Sequence, residues 1–391
     1  LFSFSISCKS FNQLQKRLLS LPLGDKDSAS CSFVLESEVL KVFFNSKVDK
    51  GESCSLFYEE IPVSNLSGKA SIASILVSNF YSLKIPETIE ETKYPQCENV
   101  SFTFTDAVLS LEYEVRWNRH TAPSKNRLNF AVLSGKTDLK DYEQMFDSSK
   151  KEIINLQSAP FLEAVQQVSF IKSDISSRDT NGCFFEFKDT TFWAIATDSS
   201  IAVRYKGTVP GGGLGKHSFV VSNPILALVK TFIGDAESFV IVPLRSSLLI
   251  ETSGRKLLIP KMSGSYIIKD HETFFNVQTM PFIACLDLKP MNLSLSNLNA
   301  KAADTYKRVT LNFEDLRFSM KSQIDTADNI PCTVTAGAKI NINGDFLGLV
   351  GQRLATLDLF SKLYFDKSTD KVGFTTDEND KLSILVQGLS F

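Results

Sequence analysis

Phe185-Glu186-Phe187-Lys188-Asp189-Thr190-Thr191-Phe192 is the stretch on which the fold turns. Apolar residues at 185 and 187, a polar Asp-Thr pair, then apolar residues at 192, 194 and 196 describe a strand, a tight turn and a returning strand. The pattern occurs twice more. Phe33-Val34-Leu35-Glu36-Ser37-Glu38-Val39-Leu40 precedes it, and Leu311-Asn312-Phe313-Glu314-Asp315-Leu316-Arg317-Phe318 follows. Phe33, Leu35 and Leu40 coincide with Phe185, Phe187 and Phe192 and with Leu311, Phe313 and Phe318, without a gap. The returning strands keep alternating through Val42–Phe44, Ala194–Ala196 and Met320–Ser322. The copies lie a domain length apart, too far for a solenoid unit. The chain reads as three copies of one fold.

Outward from these hairpins, each copy runs strand, helix, strands, twice over. In the middle copy a strand over Lys216–Ser222 leads to Asn223 as helix cap and Pro224 at the first helical position. Ile225, Leu226, Leu228, Val229, Phe232 and Ile233 then form one helical face. Strands follow at Phe239–Val242, Ser247–Thr252 and Lys256–Pro260. The last copy closes alike: a strand over Lys339–Asn343, a helix over Asp345–Leu357, and strands at Ser361–Phe365, Lys371–Thr376 and Ser383–Leu389. First-half helices are expected at Phe11–Leu19, Pro160–Ile171 and Pro290–Asp304. In the first copy the second half predicts a helix near Ala70–Leu83, an extra stretch Lys84–Asn99, and strands at Val100–Thr105, Val108–Tyr113 and Arg127–Leu133. Tyr113–Lys125, with Arg116, Arg119, His120 and Lys125, then Arg127, reads as a basic loop. The expected domains are 1–145, 146–266 and 267–391, in an α+β fold with helices on one side of the sheets.

Composition narrows the function classes. With 391 residues the chain can bury two or three cores. The 31 Phe fall mainly in alternating or apolar runs and are assigned to those cores. A net charge of −2 excludes DNA binding by overall basicity and leaves only a local stripe. Seven scattered Cys, odd in number and without a C-x-x-C pair, argue for reduced thiols in a cytoplasmic compartment and against a zinc site. Leu1–Ile6 is read as a first strand, its apolar run being too short for a signal peptide. No run is long enough for a membrane span.

In the middle copy, Phe161-Leu162-Glu163-Ala164-Val165, Phe170, Cys183–Phe187, and Ala196-Thr197-Asp198 before Ile201-Ala202-Val203 resemble the bacterial DNA polymerase sliding clamp family, ring-forming processivity factors. Two departures stand out. Ser199-Ser200-Ile201-Ala202 replaces that family's Gly-His-Arg-Leu, and Val386-Gln387-Gly388-Leu389-Ser390 replaces its C-terminal Met-Pro-Met-Arg-Leu. These departures and a Lys-rich composition point to a phage-encoded relative. The resemblance implies a head-to-tail homodimer closing six domains around double-stranded DNA, with helices lining the hole and sheets outside. It implies DNA polymerase and a clamp loader as partners, recruited through short peptides. It implies no cofactor and no membrane.

A sliding ring touches phosphates weakly and without regard to sequence. The helix-borne or helix-flanking cations expected to face DNA are Lys9, Lys16, Arg17, Lys69, Lys172, Lys230, Lys301, Lys307 and Arg353. Against this stands the plain alternative that an isolated Lys on a helix is a solvated face. The peptide pocket, carried over from the family, comprises Thr197, Ser199, Ser200, Ile201, Ala202, Leu385, Gln387 and Leu389. Here the alternative is that Leu385 and Leu389 are core positions of a last strand. Val209–Ser218 fails as a phosphate loop: Pro210 and His217 stand where Gly and Ser or Thr are needed, and a strand follows. His120, His217 and His271 show no metal-ligand spacing, and Asp198 reads as a turn residue. The reading is a non-enzymatic clamp. The main competitor is a structural or interaction protein of repeated α+β domains, and an enzyme whose site is hidden near Tyr113–Arg127 is the third.

Overall fold

A computed structural model describes residues 2–20, 29–36, 38–48, 53–68, 72–81, 83–86, 94–105, 107–133, 146, 152–171, 182–198, 200–210, 214–262, 266–268, 270–301, 307–314, 317–322, 325–376 and 381–388. Through them the chain repeats strand, helix, antiparallel strands six times. The first module is β1 (Phe2–Ser7), α1 (Cys8–Ser20), β2 (Ser30–Glu36), β3 (Val39–Val48) and β4 (Ser53–Pro62), followed by a short β5 (Ser64–Gly68). The second is β6 (Ile72–Leu76), α2 (Ser78–Tyr81), β7 (Asn99–Phe104), β8 (Val108–Val115) and β9 (Ser124–Ala131). The third is β10 (Ile154–Gln157), α3 (Ser158–Val168), β11 (Gly182–Asp189), β12 (Thr191–Thr197) and β13 (Ile201–Thr208). The fourth is β14 (Leu214–Ser222), α4 (Asn223–Ile233), β15 (Ser238–Pro243), β16 (Ser247–Thr252) and β17 (Arg255–Pro260).

A connector with α5 (His271–Phe274) and a 3-10 turn at Val277–Thr279 comes next. The fifth module is β18 (Phe282–Asp287), α6 (Leu288–Lys301), β19 (Arg308–Glu314) and β20 (Arg317–Lys321), with short β21 (Thr326–Ala327) and β22 (Cys332–Val334). The sixth is β23 (Ala338–Asn343), α7 (Gly344–Leu354), β24 (Phe360–Asp366), β25 (Lys371–Thr376) and β26 (Leu382–Gln387).

The three hairpins align in register. Leu35 faces Leu40, Phe187 faces Phe192, and Phe313 faces Phe318, each one pair back from the turn. Phe187 and Phe192 stack at 5.7 Å, Phe313 and Phe318 at 4.6 Å. Such cross-strand aromatic pairs fix register as well as adding stability. The first strand of each module pairs in the sheet of its sister. β1 joins β7 and β6 joins β2; β10 joins β15 and β14 joins β11; β18 joins β24 and β23 joins β19.

The chain divides into two compact units, Leu1–Ser158 with Pro224–Lys261, and Ala159–Asn223 with Met262–Phe391. The first unit has a five-stranded sheet, β5-β1-β7-β8-β9, and an eight-stranded one, β10-β15-β16-β17-β4-β3-β2-β6. Its core is phenylalanine-rich: Phe2 stacks on Phe104 at 4.6 Å and Phe4 on Phe102 at 4.9 Å, with Phe11 and Phe33 tilted against Phe102. The second unit has a nine-stranded sheet, β14-β11-β12-β13-β26-β25-β24-β18-β22, and a four-stranded one, β21-β20-β19-β23. There Phe185 stacks on Phe161 at 5.3 Å, and Phe219 packs on Phe187 at 5.5 Å. The abundance of Phe is thus spent on cores, as expected.

Two sequence expectations change. Where a helix was expected over Ala70–Leu83, residues 72–76 form β6 and only Ser78–Tyr81 is helical. Ile72 and Ile75 are β-branched, and pairing of β6 with β2 outweighs helix propensity. The basic loop is shorter than Tyr113–Lys125, because β8 runs to Val115 and β9 starts at Ser124. Among the described residues no helix is long and apolar enough to cross a membrane.

Candidate partner groove and cationic surfaces

In the second unit, β13 and β26 pair antiparallel, setting Ile201 opposite Val386 and Ala202 opposite Leu385. Asp198 shapes the turn before β13: its Oδ1 accepts hydrogen bonds from the Ser200 and Ile201 amides at 3.0 and 2.8 Å. Thr197 is buried and donates through Oγ1 to the Ile201 carbonyl at 3.0 Å. The Gln387 amide donates to the Ser200 carbonyl at 2.9 Å, tying the ends of the two strands. The expected pocket residues Thr197, Ser200, Ile201, Ala202, Leu385 and Gln387 are therefore neighbours, although the sequence separates them by almost two hundred positions. Ser199 and Leu389 lie outside the described residues.

Leu385 and Ala202 belong to one apolar cluster with Ile195 and Tyr364 of the sheet and with Tyr266, Ile268, Phe275 and Val277 of the connector. Phe184, Trp193, Val220, Met280 and Phe282 pack around it, partly buried. The connector thus lies over the face on which a partner peptide was expected. Gly373 on β25 lets it approach: a Cβ at that position would stand 2.8 Å from Cγ1 of Val277. The sequence predicts a domain end at residue 266 and does not announce this cover, since the two short pairs Tyr266/Ile268 and Phe275/Val277 draw no continuous helix or strand.

Polar groups pin the connector. His271 is buried, and its Nε2 meets the Glu186 carboxylate, whose other oxygen accepts from Lys216 at 2.8 Å. Burial disfavours ionised Glu186, but hydrogen bonds and charge from Lys216 and His271 outweigh it and hold the carboxyl below its ordinary range. Arg204 donates to the His271 carbonyl at 3.3 Å and lies over the Phe275 ring at 5.2 Å. Asp270 caps α5 by accepting from the Thr273 amide at 3.1 Å. His271, which shows no metal-ligand spacing in the sequence, has an anchoring place in the fold.

The cations expected to face DNA have different surroundings. Lys9 and Lys16 on α1 and Lys230 on α4 are exposed. Lys307 pairs with Asp345 at 2.9 Å, and Arg353 lies over the Phe170 ring at 5.1 Å, both half-buried. Lys301 ends α6. Lys69 and Lys172 fall outside the described residues. Arg17 requires correction: it points inward, 8% exposed, with Nε and Nη2 on Glu59 and Nη1 3.1 Å from Asp235. Arg255 joins Asp235 from the other side at 2.8 Å and is the cross-strand neighbour of Glu59. A buried carboxylate claims this guanidinium, so it is not a solvent-facing cation. Among the described residues no group of three His, Cys, Asp or Glu is placed to hold a metal.

The fold is that seen in bacterial DNA polymerase sliding clamps, matched here end to end. No family model matches this sequence, and no curated protein does. Solved structures do. The DNA polymerase sliding clamp from Bacillus subtilis matches with a TM-score of 0.77 at 12% identity, over 100% of this chain and 99% of that one. A putative DNA polymerase III beta subunit from Eubacterium rectale matches at 0.77 and 12%, each chain covered in full. The sliding clamp from Caulobacter crescentus gives 0.74 and 14%, again over both chains. At such identities the likeness is one of fold.

Proposed function

We propose that the chain is a DNA sliding clamp, a ring-shaped processivity factor that encircles duplex DNA and tethers a replicative polymerase. The observation that carries this reading is the end-to-end match to sliding clamps, together with six strand-exchanged modules along the chain. Three domains, 1–145, 146–266 and 267–391, each of two sister modules, repeat within one chain. A head-to-tail homodimer then closes a ring of six, since a heterologous interface gives a ring when its rotation closes. Lys9, Lys16 and Lys230, exposed on α1 and α4, would supply weak phosphate contacts, with Lys301, Lys307 and Arg353. The protein performs no chemistry of its own in this reading. It works through effective concentration, keeping its partner near the primer end. It acts in the cytoplasm, where replication enzymes meet DNA.

Partner peptides dock beside the connector, whose Tyr266, Ile268, Phe275 and Val277 cover Ala202 and Leu385 and form one wall of the groove. Because Ser199-Ser200 and Gln387-Gly388 stand in the sequence where the family has other residues, the preferred peptide differs from that of the bacterial clamps. Native mass measurement with negative-stain imaging of the same sample tests the proposal. A six-lobed ring of two chains is expected. An open filament, or a chain that stays globular and monomeric with nicked circular DNA, polymerase and loader present, overturns it.

A further inference from the structure

The β8–β9 hairpin of the first unit carries a surface that the clamp reading does not use. From Arg116 to Arg127 the sequence holds Arg116, Arg119, Lys125 and Arg127 with His120, and no acidic residue stands between Glu114 and Asp138. At its tip Trp117 is 57% exposed. The tip is held in place. Gln96 and Arg116 exchange two backbone hydrogen bonds of 2.9 Å at the turn end of the hairpin. The His120 amide donates to Asn118 Oδ1 at 2.9 Å, and Arg119 Nε donates to His120 Nε2 at 3.0 Å. A large indole is therefore presented to solvent on an ordered cationic turn. Burial does not explain it, and exposing it costs hydrophobic stabilisation.

Beside the tip, the outer face of the five-stranded sheet forms a cavity of about 620 Å³, within the range of small-ligand sites. Its lining is hydrogen-bonding rather than apolar: Asn65, Gln96, Asn99 and Asn126 supply amides, and Glu98, Glu112 and Glu114 supply carboxylates. Arg116, Lys125 and Arg127 of the hairpin also line it. Two of the carboxylates pair with two of these cations, Glu112 with Arg127 at 3.2 Å and Glu114 with Lys125 at 3.3 Å. Both pairs are open to solvent, Lys125 to 85% and Arg127 to 64%. Such pairs contribute little and exchange partners readily.

We propose that this hairpin and its cavity bind single-stranded nucleic acid, one base stacking on Trp117, a neighbouring base entering the cavity, and the backbone lying along Arg116, Arg119, Lys125 and Arg127. Each part of the surface matches a part of that ligand. An exposed indole is a platform for any base, and cations along one edge track phosphates. Carboxylates accept hydrogen bonds from base amino groups, and amides meet base edges from both donor and acceptor sides. A duplex offers no unstacked face to Trp117, and an acidic peptide leaves both the indole and the carboxylate-lined cavity without a counterpart. The proposal needs no ring and stands on the first unit alone.

The test uses the full-length chain. Trp117 and Trp193 are its only tryptophans, so Trp193→Phe leaves Trp117 as the single fluorophore. Titration with a 12-nucleotide single strand of mixed sequence is expected to quench Trp117 saturably. Trp117→Ala, followed by anisotropy of a labelled strand, should weaken binding about five-fold or more. Arg119→Glu with Lys125→Glu should lower the slope of log affinity against log salt by about 0.7 per lost phosphate contact. Circular dichroism of the variants should match the parent, because all three side chains are exposed. The proposal falls if the strand does not quench Trp117, if duplex of equal length or poly-glutamate quenches it equally well, or if Trp117→Ala binds the strand like the parent. A chain that forms no ring but shows the quench would sink the clamp reading and leave this one standing.

Discussion

Replacing Arg17 with Met asks whether that residue serves the fold or the DNA. Its guanidinium makes a two-point contact with Glu59, itself 5% exposed, and reaches Asp235 at 3.1 Å. Burial already pushes the Glu59 carboxyl above its ordinary range against the pull of Arg17 and Arg255. Taking away the nearer cation strands a buried carboxylate, which costs about 3–5 kcal/mol. That is a large share of a typical domain's 5–15 kcal/mol or so. With a urea m-value of ~2–3 kcal/mol per molar, the unfolding midpoint of the first unit should fall by ~1–2 M. Arg17→Met with Glu59→Met should recover most of the loss, because two apolar groups leave no orphaned charge. The pH response follows by linkage. A carboxyl whose folded pKa lies above its unfolded one takes stability from the native state as pH rises from the unfolded value through the folded one. Arg17→Met raises the folded value further, so the variant should regain stability as pH falls from 7 towards the ordinary Glu range. The reasoning is refuted if Arg17→Met unfolds within about 1 kcal/mol of the parent, or if the double variant loses the sum of the singles.

Gly373→Ala should lower the melting temperature, overpacking of this kind costing about 1–3 kcal/mol, because the new methyl meets Val277 Cγ1 at 2.8 Å; Val277→Ala in the same chain should restore it. Asn343 Oδ1 accepts from the Asp345 amide at 2.8 Å and the Phe346 amide at 3.4 Å, so Asn343→Ala should cost about 1 kcal/mol in denaturant unfolding. Glu186, held below the ordinary carboxyl range, contributes stability at neutral pH that is lost as pH falls through its folded value. Emission from Trp193, its ring 5.2 Å from that of His271, should report the loosening on acidification, and Glu186→Gln should remove that acid transition. Leu385→Ala, at a site 6% exposed, should destabilise the second unit by about 2–4 kcal/mol as well as weaken peptide docking, which equilibrium unfolding and peptide titration separate.

Local regularity explains which features could be read before folding. The three hairpins were legible because register in a two-stranded turn depends on residues a few positions apart, such as Phe187 and Phe192. Helix α4 was legible for the same reason: its buried face is the one its spacing draws, from Ile225 to Ile233. What failed depends on distant residues. Ile72–Leu76 became a strand because β2 offered it a partner. The environment of Arg17 is set by Glu59 and Asp235, far along the chain. Thr197, Ile201 and Leu385 could be grouped only by resemblance, since their adjacency depends on β13 meeting β26. Trp117 and its cations were visible as a basic loop, but the exposure of the indole and the cavity beside it exist only in the folded hairpin.

The exchange of first strands between sister modules bears on how the protein emerges from the ribosome. Phe2–Ser7 has its main partner in Asn99–Phe104, so nearly a hundred residues must be synthesised before the opening strand can be paired on that side. Until then its apolar Phe2, Phe4 and Ile6 wait unburied, a state open to aggregation and to holding by chaperones. The same delay recurs for Ile154–Gln157 and Phe282–Asp287, whose partners lie in the following module. Pairing over such separations slows folding. Translation that stops midway through a pair of modules should therefore leave a product that neither folds nor stays in solution. A stop codon placed after a complete pair should do far less harm.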